Sequence, residues 1–335
     1  MIVRVWNGFW FSEVSGTAFA LVRVCFAATA VLTLLELSPL LAEHYTSNGY
    51  FPIESARQWS WGNLIGFLHL SWLDGLPQVI VIYTGLIFCI VLLGVGLHTR
   101  SAAFVTFVLL LWFQTRNPTY LNGGDEVLRL TAFYLFLGYL VIPPEHRTLS
   151  LDRARALARS VDSREQRAVP GTESVWLGGR MPAWPVRMIQ IQICLLYFIA
   201  GWWKLSGESW WSADAIYYAV QNPQVARFHL PVTAWMEPIF LVASLSVAWW
   251  EFLFPALFAL RRARKLALLF GVTLHLGTLL TMNIGFFALV VLATYPAMIG
   301  PATCDRWLRA LFARFAPQSQ RALEVSDGLP AVVER

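Results

Sequence analysis

Chemistry-bearing side chains are scarce in this chain and fall in few places. The foremost is the segment from Tyr197 to Trp211, where the apolar run Tyr197-Phe198-Ile199-Ala200-Gly201-Trp202-Trp203 ends on Lys204 and is followed by Gly207, Glu208, Trp210 and Trp211. A lysine at the end of an apolar helix can snorkel into headgroups beside an aromatic belt. Held instead in an apolar, aromatic pocket, the amine loses solvation, its pKa falls, and it becomes a usable general base near neutral pH. An unpaired lysine suits the second role better than a paired one. His275, in Thr273-Leu274-His275-Leu276, is either a helix-packing hydrogen bonder or a second catalytic group. Arg23, Arg129 and Glu251 also lie within apolar runs, where ionisable residues are rare and usually paired, so Glu251 is expected to pair with Arg23 or Arg129 or to relay protons. Pro255, four residues after Glu251, frees a backbone carbonyl that something must satisfy.

Other chemistries find little support. No cluster of His, Cys and carboxylates has metal-ligand spacing, so no metal is expected. Cys25, Cys89, Cys194 and Cys304 form no CxxC and no paired spacing. Gly94-Val95-Gly96 lacks the context of a phosphate loop, and no Gly-x-Ser-x-Gly occurs. Asn122-Gly123-Gly124-Asp125-Glu126 reads first as a helix cap.

The elements that must position these residues are membrane helices. The 335 residues are 57% hydrophobic and only 13% charged, with 16 Trp and a mean hydropathy of +0.56, which excludes a soluble domain. The net charge of +5 does not indicate nucleic acid, because the basic residues fall in short loops between apolar runs. Met1 to Phe11 carries no mark of a cleaved signal peptide, so the first apolar run is expected to remain as a span. At about 20 residues per crossing, spans are expected near 15–37, 77–97, 101–115, 127–143, 186–204, 236–260, 266–283 and 285–300. This is an all-α, polytopic helix bundle of about eight spans. Arg4, Arg100, the arginines of 144–187, the cluster Arg261-Arg262-Arg264-Lys265 and the tail arginines then share one face, so both termini are expected in the cytoplasm. No inverted repeat points to a transporter.

Within the 1–300 membrane domain, 144–185 reads as a short helix capped at Ser150-Leu151-Asp152 followed by a flexible Arg-rich cytoplasmic linker. Residues 301–317, with Trp307, Leu308, Leu311, Phe312 and Phe315 at helical spacing, read as an amphipathic helix on anionic lipid. The tail 318–335 reads as disordered. The opposite, extracytoplasmic loops hold most of the polar and aromatic groups, including Trp59, Trp61, His69 and His229, and any site is expected on that side.

Several segments in order resemble the HTTM domain, the membrane domain shared by vitamin K-dependent gamma-carboxylase and its bacterial relatives. They are Tyr45-Thr46-Ser47-Asn48-Gly49-Tyr50-Phe51-Pro52, Arg116 to Asp125, Tyr197 to Trp210, Glu251 to Pro255, and His275-Leu276 through Asn283-Ile284-Gly285-Phe286-Phe287. In the carboxylase, the lysine of the Tyr-Phe-x-Ala-Gly-x-x-Lys-Leu segment deprotonates reduced vitamin K; after oxygen addition, a substrate glutamate loses a proton and takes up CO2 on the lumenal side. The resemblance puts Lys204 on that lysine and His275 on a family histidine. It implies a reduced, vitamin K hydroquinone-like quinone as cofactor and a carboxylase-like (carbon–carbon lyase or ligase) or hydroquinone-epoxidising activity. Asn117, Tyr120, Asp125, Trp203, Trp210 and Trp211 become candidates for a substrate or quinone pocket. Pro118 stands nearest to where the carboxylase has a catalytic histidine. The carboxylase's large lumenal domain has no counterpart in these 335 residues, so a peptide substrate is expected to need a partner membrane protein or a short direct motif. The short relatives look like maturation factors for exported peptides, which implies a bacterial inner (plasma) membrane and an exported-peptide partner. The alternative is a non-catalytic maturation or immunity factor that binds a secreted peptide.

Overall fold

The computed structural model describes residues 2–59, 66–162, 175–212, 214–228 and 231–315, and these are almost entirely helical. An amphipathic helix α1 (Ile2–Trp10) precedes the long α2 (Thr17–Leu37), and short helices α3 (Leu41–Tyr45) and α4 (Ile53–Trp59) follow. Then come α5 (Leu76–Val95), α6 (Thr99–Arg116), α7 (Gly123–Val141) and α8 (Leu151–Asp162). The second half holds α9 (Trp184–Ser206), α10 (Glu208–Trp211), α11 (Asp214–Gln221), α12 (Glu237–Ala259), α13 (Arg264–Thr281), α14 (Phe287–Leu292), α15 (Tyr295–Ile299) and α16 (Pro301–Phe315). Strands β1 (Glu13–Ser15) and β2 (Arg180–Pro182) form one short antiparallel ladder, with Val14 opposite Met181.

Seven of the eight expected apolar runs are single helices close to the expected bounds. The eighth is corrected: 285–300 is two short helices, α14 and α15. The break falls where Thr294 Oγ1 bonds back to the Val291 carbonyl at 2.7 Å and Pro296 lacks an N–H. Four segments, Thr17–Tyr45, Leu76–Val95, Trp184–Ser206 and Glu237–Ala259, are long and apolar enough to cross a membrane. A fifth counts if Phe287–Ile299 and Pro301–Arg314, bent by 98°, are one span. The expected count of eight is thus not carried by length and hydropathy. Helices α6, α7 and α13 reach 18 or 19 residues only by including charged ends, namely Arg100 and Arg116, Asp125 to Arg129, and Arg264-Lys265.

Apolar surface lipid can solvate does not hold helices together, so packing and interhelical hydrogen bonds must. The centre is filled by Phe19, Phe26, Leu86, Ile90, Leu93, Phe113, Leu135 and Phe254, all fully buried. Tyr83 Oη donates to the Leu34 carbonyl (2.8 Å), Gln190 Nε2 to Ala297 (2.7 Å) and Trp250 Nε1 to Ala267 (3.2 Å), each joining two elements. Helices α9 and α12 share the most extensive contact. Gly201 makes it possible, because a Cβ there would overlap the backbone of Phe252.

The short helix expected at Ser150-Leu151-Asp152 is α8, and its first residues tie it to the rest of the bundle. Asp152 accepts from the His98 and Thr99 amides (2.8 and 2.9 Å), the Thr99 hydroxyl (2.7 Å) and Arg147 (2.7 Å), and so caps α6. Arg153 donates to the carbonyls of Val175 (2.9 Å), Leu177 (3.1 Å) and Glu145, and the Leu149 amide to Trp176 (2.8 Å). Arg153 of this Arg-rich segment is thus a donor to three backbone carbonyls. Residues 163–174, and the disordered tail expected from 318, lie outside the described residues. The expected amphipathic helix is α16; Trp307 and Leu311 are exposed on it. Helix α1, with Val3, Val5, Trp6 and Phe9 exposed, is a second helix of that kind, at the other end of the chain.

Overpacking a tight site costs about 1–3 kcal/mol. Gly201→Val should therefore lower the thermal unfolding midpoint in detergent clearly, whereas the same change at Gly85, where a Cβ meets nothing within 4 Å, should cost far less.

Candidate functional site

Two polar assemblies stand out near the end of the bundle where α9 terminates and α7 begins. In the first, Lys204, in the last turn of α9, forms an ion pair with Glu251 on α12. Glu251 is buried, and the Lys204 side chain keeps 23% of its exposure. Its Nζ also lies 5.2 Å from the centre of the Trp210 ring, within cation–π range. The expected partners of Glu251 are corrected: Arg23 donates to the Leu149 carbonyl and to Tyr139 Oη (3.4 Å), and Arg129 to Glu126 and to Gln114 Oε1 (3.1 Å). The reading of Lys204 as an unpaired amine is corrected with them, since its carboxylate comes from another helix, not from its own.

Two turns before Lys204, Tyr197 Oη bonds His275 Nε2 at 2.7 Å and Tyr295 Oη at 3.0 Å. This links α9, α13 and α15. Gly271 leaves room for the Tyr295 hydroxyl. His275 Nδ1 is buried with no partner among the described residues, and Phe287 packs on the ring with centroids 5.9 Å apart. Tyr197 and Tyr295 were not singled out from sequence. For Tyr197 a signal existed, since it lies seven residues before Lys204 and so on the same helix face.

On the far side of Phe287 lies a cavity of about 360 Å³. Tyr45, Phe113, Tyr120, Phe286 and Phe287 supply aromatic walls, and Glu36, Gln114, Asn122, Asp125 and Asn283 the polar groups. Asn122 and Asp125 form a capping box at the start of α7: Asn122 Oδ1 accepts from the Gly124 amide (2.7 Å) and Asp125 Oδ2 from the Asn122 amide (2.8 Å). The capping reading of this motif holds, and its residues also line the cavity.

The expected pocket residues do not form one pocket. Tyr120 and Asp125 line the cavity, and Trp210 stands over Lys204. Trp203 is 71% exposed, and Trp211 donates Nε1 to the Leu205 carbonyl at 2.8 Å. Asn117 is fully buried and holds loops: Nδ2 donates to the His44 carbonyl (3.0 Å) and Oδ1 accepts from the Thr119 amide and hydroxyl (3.2 and 2.6 Å). Pro118 opens a short 3-10 turn there. Beside it, Arg116 makes a fully buried two-pronged pair with Asp74 (2.7 and 3.2 Å) and donates to the carbonyls of Phe51 (2.9 Å) and Thr46 (3.3 Å). The Arg116-Asn117 part of the segment is thus the staple of the loops around it. Among the described residues no group of His, Cys and carboxylates could hold a metal.

The class these features define is a helical integral membrane domain with ionic and hydrogen-bonded clusters between its helices. The chain belongs to the HTTM domain family, whose model matches residues 11–302, and so carries a membrane domain related to that of vitamin K-dependent carboxylase. No curated protein and no solved structure matches the chain.

Two measurements probe this staple. Removing one partner of a buried ion pair costs about 3–5 kcal/mol, so Asp74→Ala should strongly lower the unfolding midpoint in detergent. His69 is buried with neither ring nitrogen bonded among the described residues; burial first, then Arg116 and Arg57, push its pKa from 6.5 down to about 4, against Asp74. The unfolded chain then binds the proton more readily, so this contribution to stability is full above pH 6.5 and declines as pH falls toward 4. Unfolding midpoints compared across that window should fall less steeply in His69→Phe than in the unsubstituted protein.

Proposed function

We propose that this protein is a multi-pass enzyme of a bacterial inner membrane that uses a reduced quinone to modify an exported peptide or other extracytoplasmic substrate. The Lys204–Glu251 pair is its proton-accepting centre. Eight helical segments with both termini in the cytoplasm, as the arginine distribution favours, put that pair on the extracytoplasmic side. The observation that carries the reading is the pair itself, an ammonium and a carboxylate brought together between α9 and α12 and still partly open beside Trp210.

An ionic pair cannot act as a lone amine does. Moving a proton from Lys204 to Glu251 only changes the tautomer, so a net proton is gained when Glu251 is protonated while Lys204 stays an ammonium. Glu251 Oε2 is then the accepting atom, and Lys204 Nζ stabilises the negative charge left outside the pair. Phe198, Trp202 and Phe252, stacked or tilted against one another next to the pair, form an aromatic face on which a flat lipid-soluble ring fits. A reduced quinone bound there supplies an acidic phenolic hydroxyl and two electrons. Tyr197, His275 and Tyr295 form the buried wall behind the pair, and the cavity beyond Phe287 suits the second substrate.

With general acid–base groups contributing about 10²–10⁴-fold, Lys204→Ala and Glu251→Gln should each cut hydroquinone consumption by purified protein in nanodiscs at least about 100-fold. Their unfolding midpoints show whether the fold survives. Undiminished turnover in folded Glu251→Gln would return the base role to Lys204 alone, and undiminished turnover in both ends the enzymatic reading. The exposed Trp59 and Trp211 favour the second reading, a non-catalytic maturation or immunity factor that binds a secreted peptide. On that reading, changes at these residues release a co-purifying peptide while Lys204→Ala does not. Topology is checked separately: in intact cells Arg4→Cys should resist an impermeant maleimide and Glu208→Cys should react.

A further inference from the structure

The opposite end of the α9–α12 contact holds a second cavity, of about 500 Å³, in which no carboxylate takes part. Arg187, in the first turn of α9, and Arg264, the first residue of α13, both line it. Neither has a carboxylate partner among the described residues. Arg187 donates Nη1 to Gln190 Oε1 at 2.9 Å, and Arg264 donates Nε to the Phe258 carbonyl at 2.7 Å. Each guanidinium lies on an aromatic ring, Arg187 on Phe9 at 4.8 Å and Arg264 on Phe258 at 4.5 Å, which fixes its plane. The remaining N–H groups, including both terminal nitrogens of Arg264, have no acceptor among the described residues. Two half-buried cations on one small cavity, each at the positive end of a helix, call for an anion that the protein does not supply.

From the arginines the cavity runs along Ile191, Leu195 and Phe198 of α9 toward Pro255 of α12, and these walls are apolar. The eleven residue steps from Arg187 to Phe198 rise about 16 Å, close to half the hydrocarbon thickness of a bilayer. A soluble anion would find no use for such walls, whereas one acyl chain fills a groove of that length. We infer that the groove between α9 and α12 binds an anionic phospholipid, its phosphate held by Arg187 and Arg264 and one acyl chain lying along Ile191, Leu195 and Phe198. Phe9 closes the mouth, so the lipid also seats α1.

The test uses the full chain purified in detergent, with its unfolding midpoint measured in added phosphatidylglycerol, phosphatidylcholine or inorganic phosphate. Phosphatidylglycerol should raise the midpoint, and the other two should not. Native mass spectrometry should show retained phosphatidylglycerol falling at least about tenfold in Arg187→Gln/Arg264→Gln, in line with the strength of charge-assisted contacts to phosphate. Leu195→Trp, which fills the groove and leaves the charges, should do the same, while Arg261→Gln/Arg262→Gln on the exposed neighbours should not. Midpoints in phosphatidylcholine identify any variant that has simply lost its fold. A phosphatidylglycerol effect that persists in the folded double variant, or is matched by the exposed pair, overturns the site. An equal effect of inorganic phosphate overturns the lipid in favour of a free anion.

Discussion

The close crossing of α9 and α12 is the constraint on which the rest of the molecule depends. Gly201 lets the two backbones meet, and that approach brings Lys204 to Glu251 across the gap. Neither charge is tolerable alone in an apolar surrounding. The crossing therefore determines where the ionic pair can be, and the pair in turn makes the crossing hard to separate. Tyr197, on the same face of α9, then reaches His275 and Tyr295, so two further elements are drawn to one line of contacts.

The same rule recurs at each buried charge. Arg116 takes Asp74 and two loop carbonyls; Arg23 takes the Leu149 carbonyl and Tyr139; Asp152 takes the first amides of α6. For Asp152, burial opposes the charge, but hydrogen bonds from Thr99, Arg147 and His98 outweigh it and keep the carboxyl below its usual range. Gly96 closes α5 in the left-handed conformation, its amide bonding Leu93 (3.1 Å) and the Leu97 amide Leu92 (2.9 Å), and so turns the chain into this cluster.

Much of this was legible in the residues. Long apolar runs become helices because nothing else satisfies the backbone in lipid, and seven runs gave single helices whose ends fall within about four residues of the expected bounds. The cap at Asn122 was legible because capping is local. Partners were not: Glu251 is 47 residues from Lys204, and no spacing rule chooses between it and the arginines of other helices. The role of Arg153 was not legible because its acceptors are backbone carbonyls, which every residue has. The break at Thr294 was hidden inside a run that hydropathy reads as continuous. Asn117 drew attention through its family segment, yet its hydrogen bonds are spent on the loops around it.

The Arg23 contact bears on how the chain is made. Its acceptor, Leu149, lies 126 residues downstream. Helix α2 leaves the ribosome early, carrying a cation whose final acceptor is not synthesised until α5, α6 and α7 have emerged. The first span must therefore wait, its guanidinium satisfied meanwhile by water, headgroups or the insertion machinery. Assembly of the bundle around it cannot proceed strictly helix by helix; the first helix reaches its native surroundings only after the segment following the fourth long helix has folded back beneath it.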